Sequence, residues 1–298
     1  SAGVFLGVGK CEFTAVPNFA MHSAPNCVTT DDLNRDGCPD LVTANSTRTN
    51  VSVRLGLGNG QFTGVTNYWV GQTPRWVTAG YFNSDTNLDL AVANAGDTNV
   101  GVLLGNGDGT FNAQVTYTTS NGPLCVAGGD FNNDNKKDLA VACSGSDSIA
   151  ILLGNGDGTF AGMTNYAVGN VPISVIACDF NADNNPDLAT ANFSADGSLG
   201  TVTVLLGTGN GAFGSRRDYP ASVNPNQVIA DDFDGDNKKD LAVANRARFA
   251  SGSTVSILIG NGNGTFNPMV NYHVGVNQYE YQLFTVAAAD FNGDTRPD

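Results

Sequence analysis

Asp130-Phe-Asn-Asn-Asp-Asn-Lys-Lys-Asp138 carries oxygen-bearing side chains at its first, third, fifth and ninth positions: Asp130, Asn132, Asp134 and Asp138. The same nine-residue pattern recurs in six stretches, beginning at Asp32, Tyr81, Asp130, Asp179, Asp232 and Asp290. Successive starts lie 49, 49, 49, 53 and 58 residues apart, so the chain is a tandem array with insertions late in the sequence. Any fold for this chain must place one such stretch in every repeating unit.

Alternate side chains converge on one point when the backbone curls, and a hard cation such as Ca2+ takes about six to eight oxygens there. Position 6 is Asn135, a residue type that tolerates the left-handed backbone of a tight loop. An EF-hand opens in the same way, but its bidentate Glu comes later and the loop lies between helices. Here the last carboxylate runs straight into Leu139-Ala-Val-Ala142, an apolar run that reads as a strand.

One period reads as four short strands. The first enters the loop (Leu124-Cys-Val-Ala127) and the second leaves it (Leu139 to Ala142). The third, Ile149-Ala-Ile-Leu-Leu153, meets the glycine-rich turn Gly154 to Gly158, and the fourth starts near Phe160 and includes Asn165-Tyr-Ala-Val168. Four strands per period with almost no helical periodicity predict an all-β propeller rather than a sandwich. Val4 to Phe13 aligns without gaps to Val53 to Phe62, so the chain opens on the third strand of a blade. The expectation is one propeller domain over residues 1–298, of six four-stranded blades. The sixth is shared between about residues 1–20 and 283–298, closing the ring by pairing N- and C-terminal strands. That blade lacks its second strand, which residues beyond Asp298 or a neighbouring copy would supply; a seven-bladed parent is the alternative.

Composition agrees. Glycine numbers 37 and Lys+Arg only 14 in 298 residues, a balance that favours short strands and turns. No run reaches the ~18 apolar residues of a membrane span. The chain begins at Ser1 without a Met or a leader-like segment, which reads as processing or a fragment. The net charge of −14 argues against nucleic acid as a partner. Of 28 Asp+Glu, 18 lie in the six stretches, and one Ca2+ in each would bring the net charge to −2.

Asp-Phe-Asn-x-Asp-x-x-x-Asp-Leu, then Val-Ala-Asn, then Leu-Leu-Gly-Asn-Gly-x-Gly-Thr-Phe together resemble the FG-GAP/VCBS repeat family over essentially the whole chain. That family includes the calcium-bearing blades of integrin α-subunit propellers and a fungal propeller lectin. The resemblance implies calcium as cofactor in about four to six sites, and extracellular adhesion or glycan recognition; it fixes no ligand. Carried over by position, the metal set is Asp32, Asn34, Asp36 and Asp40; Asp130, Asn132, Asp134 and Asp138; Asp179, Asn181, Asp183 and Asp187; and Asp290, Asn292, Asp294 and Asp298. Asp232, Asp234, Asp236 and Asp240 add one extra carboxylate. The second stretch departs: Tyr81 stands where the first Asp belongs, leaving Asn83, Asp85 and Asp89 for a weak or empty site.

Six cysteines allow fifteen pairings. Cys125 lies five residues before Asp130 and Cys143 five after Asp138, which predicts a bridge between them, with buried thiols as the alternative. Cys11 and Cys38 map to one face of the ring and are the second candidate bridge; Cys27 and Cys178 map to different blades and are not expected to pair. An oxidising environment follows. Sequons at Asn45, Asn50, Asn192 and Asn263 are candidate glycosylation sites, the first three expected to be exposed between second and third strands. Trp69, Arg75, Trp76 and Tyr81 gather around one first strand and could stack on a sugar, or could wedge two blades apart. Arg246 and Arg248 could meet an anion or lie in a solvated loop.

His22 and His273 sit in no recognisable nucleophile or metal-ligand pattern, so no turnover is expected. The expected function is that of a secreted or cell-surface, calcium-binding propeller that binds a glycan or an extracellular protein. A structural subunit of a fibre or matrix, self-assembling head-to-tail, is the alternative; a polysaccharide-degrading enzyme ranks third.

Overall fold

The computed structural model describes the chain except Lys10, Cys11, Val16, Pro17, His22, Ser23, residues 195–197, 247–251 and 275–282, and Thr295; residues 5–9, 12 and 13 are described in their backbone alone. Among the described residues there is no helix. A two-stranded sheet of β1 (Phe5–Gly9) and β2 (Glu12–Ala15) comes first. Five four-stranded sheets follow, each an antiparallel meander whose consecutive strands are hydrogen-bonded neighbours. The first holds β3 (Pro25–Asp31), β4 (Asp40–Asn45), β5 (Asn50–Arg54) and β6 (Thr66–Trp69). The second holds β7 (Pro74–Gly80), β8 (Asp89–Asn94), β9 (Asn99–Leu103) and β10 (Val115–Thr118). β11 (Pro123–Gly129), β12 (Asp138–Cys143), β13 (Ser148–Leu152) and β14 (Thr164–Ala167) make the third. The fourth is β15 (Pro172–Cys178), β16 (Asp187–Asn192), β17 (Leu199–Leu205) and β18 (Arg217–Val223). The fifth is β19 (Pro225–Asp231), β20 (Asp240–Asn245), β21 (Ser253–Leu258) and β22 (Val270–Val274).

The chain divides into two compact units. One is Ser1–Gly128, Asn135–Val141 and Ala150–Thr164; the other is Gly129–Asp134, Ala142–Ile149 and Asn165–Asp298. Each unit has its own core. In the first, Leu33, Val42, Val53, Val77, Leu90 and Phe111 belong to one buried cluster drawn from two consecutive sheets. In the second, Phe180, Val202, Val204, Val228, Leu241 and Phe266 do the same.

The second strand of each four-stranded sheet is buried along its whole length: β4, β8, β12, β16 and β20. Their sequences, Asp-Leu-Ala-Val-Ala-Asn and close variants, are near-continuous apolar runs, the signature of a strand covered on both faces. Each begins at the ninth residue of a loop, so the loop's last carboxylate is delivered to the mouth of a buried strand.

Between consecutive sheets an aromatic contact repeats. The fourth-strand tyrosine of one sheet meets, edge to face, the phenylalanine that follows the glycine turn of the next. Tyr68–Phe111 and Tyr117–Phe160 do this in the first unit, with centroids 5.4 and 5.1 Å apart. Tyr166–Phe213 and Tyr219–Phe266 do so in the second, at 5.2 and 5.6 Å. A loop phenylalanine closes the contact from the other side: Phe82 on Phe160, Phe131 on Phe213, Phe180 on Phe266. Such pairs add ~0.5–1.5 kcal/mol each beyond area burial. Phe19 takes the tyrosine's part against Phe62 at 4.9 Å.

Five complete sheets stand where six were expected. β1 and β2 are the third and fourth strands of the partial set, in the register expected from the alignment. Residues 283–290 form no strand: Leu283 N donates to Ser253 Oγ of β21 at 3.1 Å, Asn226 Nδ2 of β19 donates to Phe284 O at 2.6 Å, Val286 N donates to Gln227 Oε1 of β19 at 2.8 Å, and Ala289 O accepts from Asp298 N at 2.9 Å. A ladder needs successive backbone partners on a neighbouring strand; here three of these bonds involve side chains, and the backbone bond from Asp298 N to Ala289 O stands alone.

The first strands carry a bulge after their opening proline, at Pro25/Cys27, Pro74/Trp76, Pro172/Ser174 and Pro225/Gln227. It corrects the cysteine expectation. Counting symmetrically about the loop set Cys125 opposite Cys143. In the sister sheets, however, the residues at the repeat position of Cys125, Trp76 and Ser174, pair with Ala93 and Ala191, one residue short of the Cys143 position. No disulfide joins Cys125 and Cys143, and both side chains are buried. Cys11 lies outside the described residues, so the proposed bridge to Cys38 has no counterpart here; Cys38 is itself half-buried and outside any disulfide.

Candidate metal centres

Asp side chains at loop starts accept hydrogen bonds from backbone amides further on, which curls the chain into an Asx-type turn. In the first loop Asp32 Oδ1 accepts from Asp36 N (3.1 Å) and Oδ2 from Gly37 N (2.8 Å). Asp179 does the same with Asp183 N (3.3 Å) and Asn184 N (2.8 Å), and Asp232 with Asp236 N (3.0 Å) and Asn237 N (2.7 Å). Asp130 and Asp290 take the amides of Asp134 and Asp294, each at 3.1 Å.

The curl requires left-handed backbone at two positions. Position 6 was legible: Gly37, Asn135, Asn184 and Asn237 have φ of 83, 62, 66 and 62°. Position 4 was not: Arg35, Asn133, Ala182 and Gly235 also have positive φ, at 62, 58, 61 and 83°. Asn and Gly tolerate this region, whereas Arg and Ala give no sign of it in the sequence.

The second loop is different in kind. Neither Ser84 nor Thr86, at positions 4 and 6, is among the positive-φ residues. Tyr81 is exposed and offers no acceptor for the turn. The loop is held instead by the glycine turn of the third sheet: Ser84 Oγ donates to Gly156 O at 2.6 Å, and Asn83 pairs with Asp157. Asn83, Asp85 and Asp89 remain close in sequence, but Asn83 Nδ2 and Asn87 Nδ2 both point their protons at Asp85 Oδ2 (2.9 and 3.2 Å).

The ninth carboxylate has a role beyond any cation. Asp40, Asp89, Asp187 and Asp240 each accept from the loop's second residue (Leu33, Phe82, Phe180, Phe233), every time at 2.8 Å. Their other oxygens accept from glycines Gly56, Gly105, Gly207 and Gly260 at 2.7–2.8 Å. Asp138 takes Gly154 N at 2.7 Å. All five are wholly buried. Burial holds the carboxyls of Asp40, Asp89 and Asp240 above the ordinary range and pushes Asp187 up to about 6. Ionising them costs desolvation, and a neighbouring cation would offset that cost. Asp298, in the sixth loop, is exposed; it takes Phe291 N (3.0 Å) and the amide of Asn292 (3.2 Å).

Asn at position 3 sends its amide protons to the fifth-position carboxylate: Asn34 to Asp36 (2.8 Å), Asn181 to Asp183 (3.0 Å), Asn292 to Asp294 (3.2 Å). Asn132, in the third loop, accepts Asp134 N at 3.2 Å. In the fifth loop that position is Asp234. There the oxygens of Asp232, Asp234 and Asp240 lie within 4.8 Å of one another, and Lys238 Nζ holds Asp236 at 2.6 Å. Three carboxylates and no soft donor make a hard-oxygen set, which fits Ca2+ better than a softer metal.

The other candidates fall elsewhere. Asn45, Asn50 and Asn192 are buried, not exposed as expected, because they end or begin strands and bond inward: Asn45 Nδ2 to Asn50 Oδ1 and Ser52 Oγ (both 2.8 Å), Asn192 Nδ2 to Thr203 Oγ1 (2.9 Å). Asn263 is exposed, its Oδ1 accepting from Thr265. Trp69 ends β6 with 72% of its surface exposed, and Trp76 is half-buried on β7. Arg75, on the same strand, exchanges hydrogen bonds with Asn26 (3.0 and 3.1 Å), which ties it to β3. Arg246 stacks over the Phe284 ring at 4.8 Å, and Arg248 lies outside the described residues.

Among the described residues no helix is long and apolar enough to cross a membrane. No curated protein matches the chain in sequence. Solved structures do match in fold, with propeller-like relatives among them. An Agrocybe aegerita lectin, described as recognising non-reducing terminal N-acetylglucosamine, is 17% identical with a TM-score of 0.60, over 91% of this chain and 74% of that one. A putative 6-phosphogluconolactonase from Bacteroides fragilis is 17% identical with a TM-score of 0.64, over 89% and 75%. A functionally unknown protein from Desulfotomaculum acetoxidans is 10% identical with a TM-score of 0.61, over 88% and 74%. These likenesses establish the fold alone. The FG-GAP-like repeat model matches residues 32–92, 81–141, 130–190, 179–243 and 232–298, and the chain belongs to that family.

Proposed function

We propose that this chain is an extracellular, calcium-loaded β-propeller that binds a glycan or a protein rather than turning over a substrate. The observation that carries the reading is the fifth loop, where Asp232, Asp234 and Asp240 bring carboxylate oxygens within 4.8 Å of one another. Like charges so close call for a cation between them. Bound Ca2+ would supply positive charge and lock the loop. The chain's residues do the rest: Asp232 and Asp234 face the ion, while Asp240 ties the loop to the glycine turn. The loops at Asp32, Asp130, Asp179 and Asp290 are the further candidate sites, and the loop at Tyr81 holds itself by protein contacts.

Binding rather than turnover is supported by how the carboxylates are used, since nearly all those in the loops are acceptors for backbone amides. A fold shared with a lectin is compatible with glycan binding and adds no more than that. The test is binding of the calcium-saturated chain to immobilised glycans and extracellular proteins, repeated in chelator. Calcium-dependent retention is expected; product release from a polysaccharide would contradict it.

A second reading has its own observation. On β22, an edge strand, Val270, Tyr272 and Val274 are exposed, although its counterpart tyrosines pack on aromatic rings. An apolar edge of this kind invites addition of a second copy, as in a head-to-tail fibre. Light scattering across a concentration series distinguishes a monomeric binder from a polymer.

A further inference from the structure

The connector between β16 and β17 is longer than those of the first three sheets. In the first two sheets the second strand ends at Asn45 or Asn94 and the third begins at Asn50 or Asn99. In the fourth the strand ends at Asn192 and resumes only at Leu199. Ser194 Oγ and Ser198 Oγ, 2.7 Å apart, tie the two ends of the longer connector together. A cavity of about 570 Å3 is lined by Phe193, Ser194, Ser198 and Leu199 at the described ends of this connector, with residues of neighbouring segments, inside the ~300–1,000 Å3 range of small-ligand sites.

The lining selects a ligand chemistry. Among the described residues its ionisable groups are Asp147, Arg216 and Asp218. Arg216 is neutralised and pinned: one guanidinium nitrogen donates to Val168 O and another pairs with Asp218 Oδ2 at 3.1 Å. Asp218 Oδ1 takes the Thr203 hydroxyl at 2.5 Å. What remains is the Asp147 carboxylate, oriented by Val171 N on its Oδ1 at 2.7 Å. An anionic ligand would meet that carboxylate with the arginine already occupied. A ligand of neutral hydroxyls would not be repelled, because hydroxyls donate to a carboxylate and exchange hydrogen bonds with an amide such as Asn170. Phe193 and Leu199 add apolar surface for the C–H face of a ring.

We propose that this cavity is a saccharide site for the neutral terminal sugar of a glycan, with Asp147 and Asn170 as hydrogen-bonding residues and Phe193 and Leu199 as the apolar wall. The site rests on the glycan-binding reading above and gives it a location.

The experiment is calorimetric titration of the calcium-saturated chain with neutral oligosaccharides ending in glucose, galactose, mannose or N-acetylglucosamine. Asn170→Ala, Leu199→Trp and Asp147→Asn are run alongside, with melting temperature as the check on folding. Asn170 and Leu199 are exposed, so their variants keep the fold, and the new amide in Asp147→Asn retains an acceptor for Val171. At least one saccharide is expected to bind the parent chain, with about tenfold or greater loss in Asn170→Ala and Leu199→Trp at unchanged melting temperature. Binding that persists in all three variants overturns the cavity while leaving glycan binding elsewhere intact. No binding by the parent chain to any of the oligosaccharides overturns the cavity and the glycan reading together.

Discussion

The amide of Gly260 donates to Oδ1 of Asp240 at 2.8 Å, across 20 residues of chain. The same bond recurs at Gly56–Asp40, Gly105–Asp89, Gly154–Asp138 and Gly207–Asp187. It joins the end of the nine-residue loop to the turn after the third strand, so the loop and its sheet are one construction. A Cβ on these glycines would sit 2.1–2.3 Å from a backbone carbonyl oxygen, which explains why glycine recurs there.

Gly207→Ala therefore forces backbone apart, its methyl 2.3 Å from Pro186 O, and strains the bond to Asp187. A loss of about 2–3 kcal/mol is expected in urea unfolding. A change within about 0.5 kcal/mol would mean that the close approach carries no weight.

Asp240 and Asp234 separate structure from metal. Asp240→Ala leaves the amides of Phe233 and Gly260 without their acceptor, at ~1–3 kcal/mol each where buried. This variant should be destabilised in chelator as well as in calcium. Asp234→Asn should weaken calcium binding and match the parent chain once chelator is present. Equal behaviour of the two variants in chelator would contradict this division of roles.

Phe266 is buried between Tyr219 and Phe180, which both meet its ring edge to face. Phe266→Ala should cost ~3–5 kcal/mol, read from thermal or urea unfolding. Phe266→Leu should restore part of that by filling volume without the ring geometry. A neutral Phe266→Ala would show that the aromatic contacts do not hold consecutive sheets together.

Tyr81→Asp restores the first ligand of the second loop in sequence. It should not add a bound calcium, because Ser84 and Thr86 lack the left-handed backbone of the other loops and Ser84 is bonded to Gly156 O. Ion counts by native mass spectrometry should be the same for Tyr81→Asp and the parent chain. One additional ion would show that side chains alone decide occupancy.

Spacing made the architecture legible. The carboxylates at positions 1, 3, 5 and 9, the apolar run after position 9 and the glycine turn recur at fixed intervals, and they located every second strand. The departure at Tyr81 was legible too. What escaped depends on backbone detail that residue types do not encode. In the sister sheets the bulge after the opening proline shifts pairing by one residue, so the repeat position of Cys125 faces a residue one short of the Cys143 position. Asn45 and Asn192 look like loop residues in composition, yet their side chains close hydrogen-bond ladders at strand ends. Left-handed backbone at Arg35 and Ala182 is imposed by the loop's hydrogen bonds against the residues' own preference.

The most direct test of the central claim is calorimetric melting of the chain in calcium and in excess chelator. Ions that bind only the folded loops add ~2.7 kcal/mol per site at about 100 times Kd, so melting should fall by many degrees in chelator and recover on adding calcium back. A melting temperature unchanged by chelator would contradict the assignment of the Asp32, Asp130, Asp179 and Asp232 loops as calcium sites.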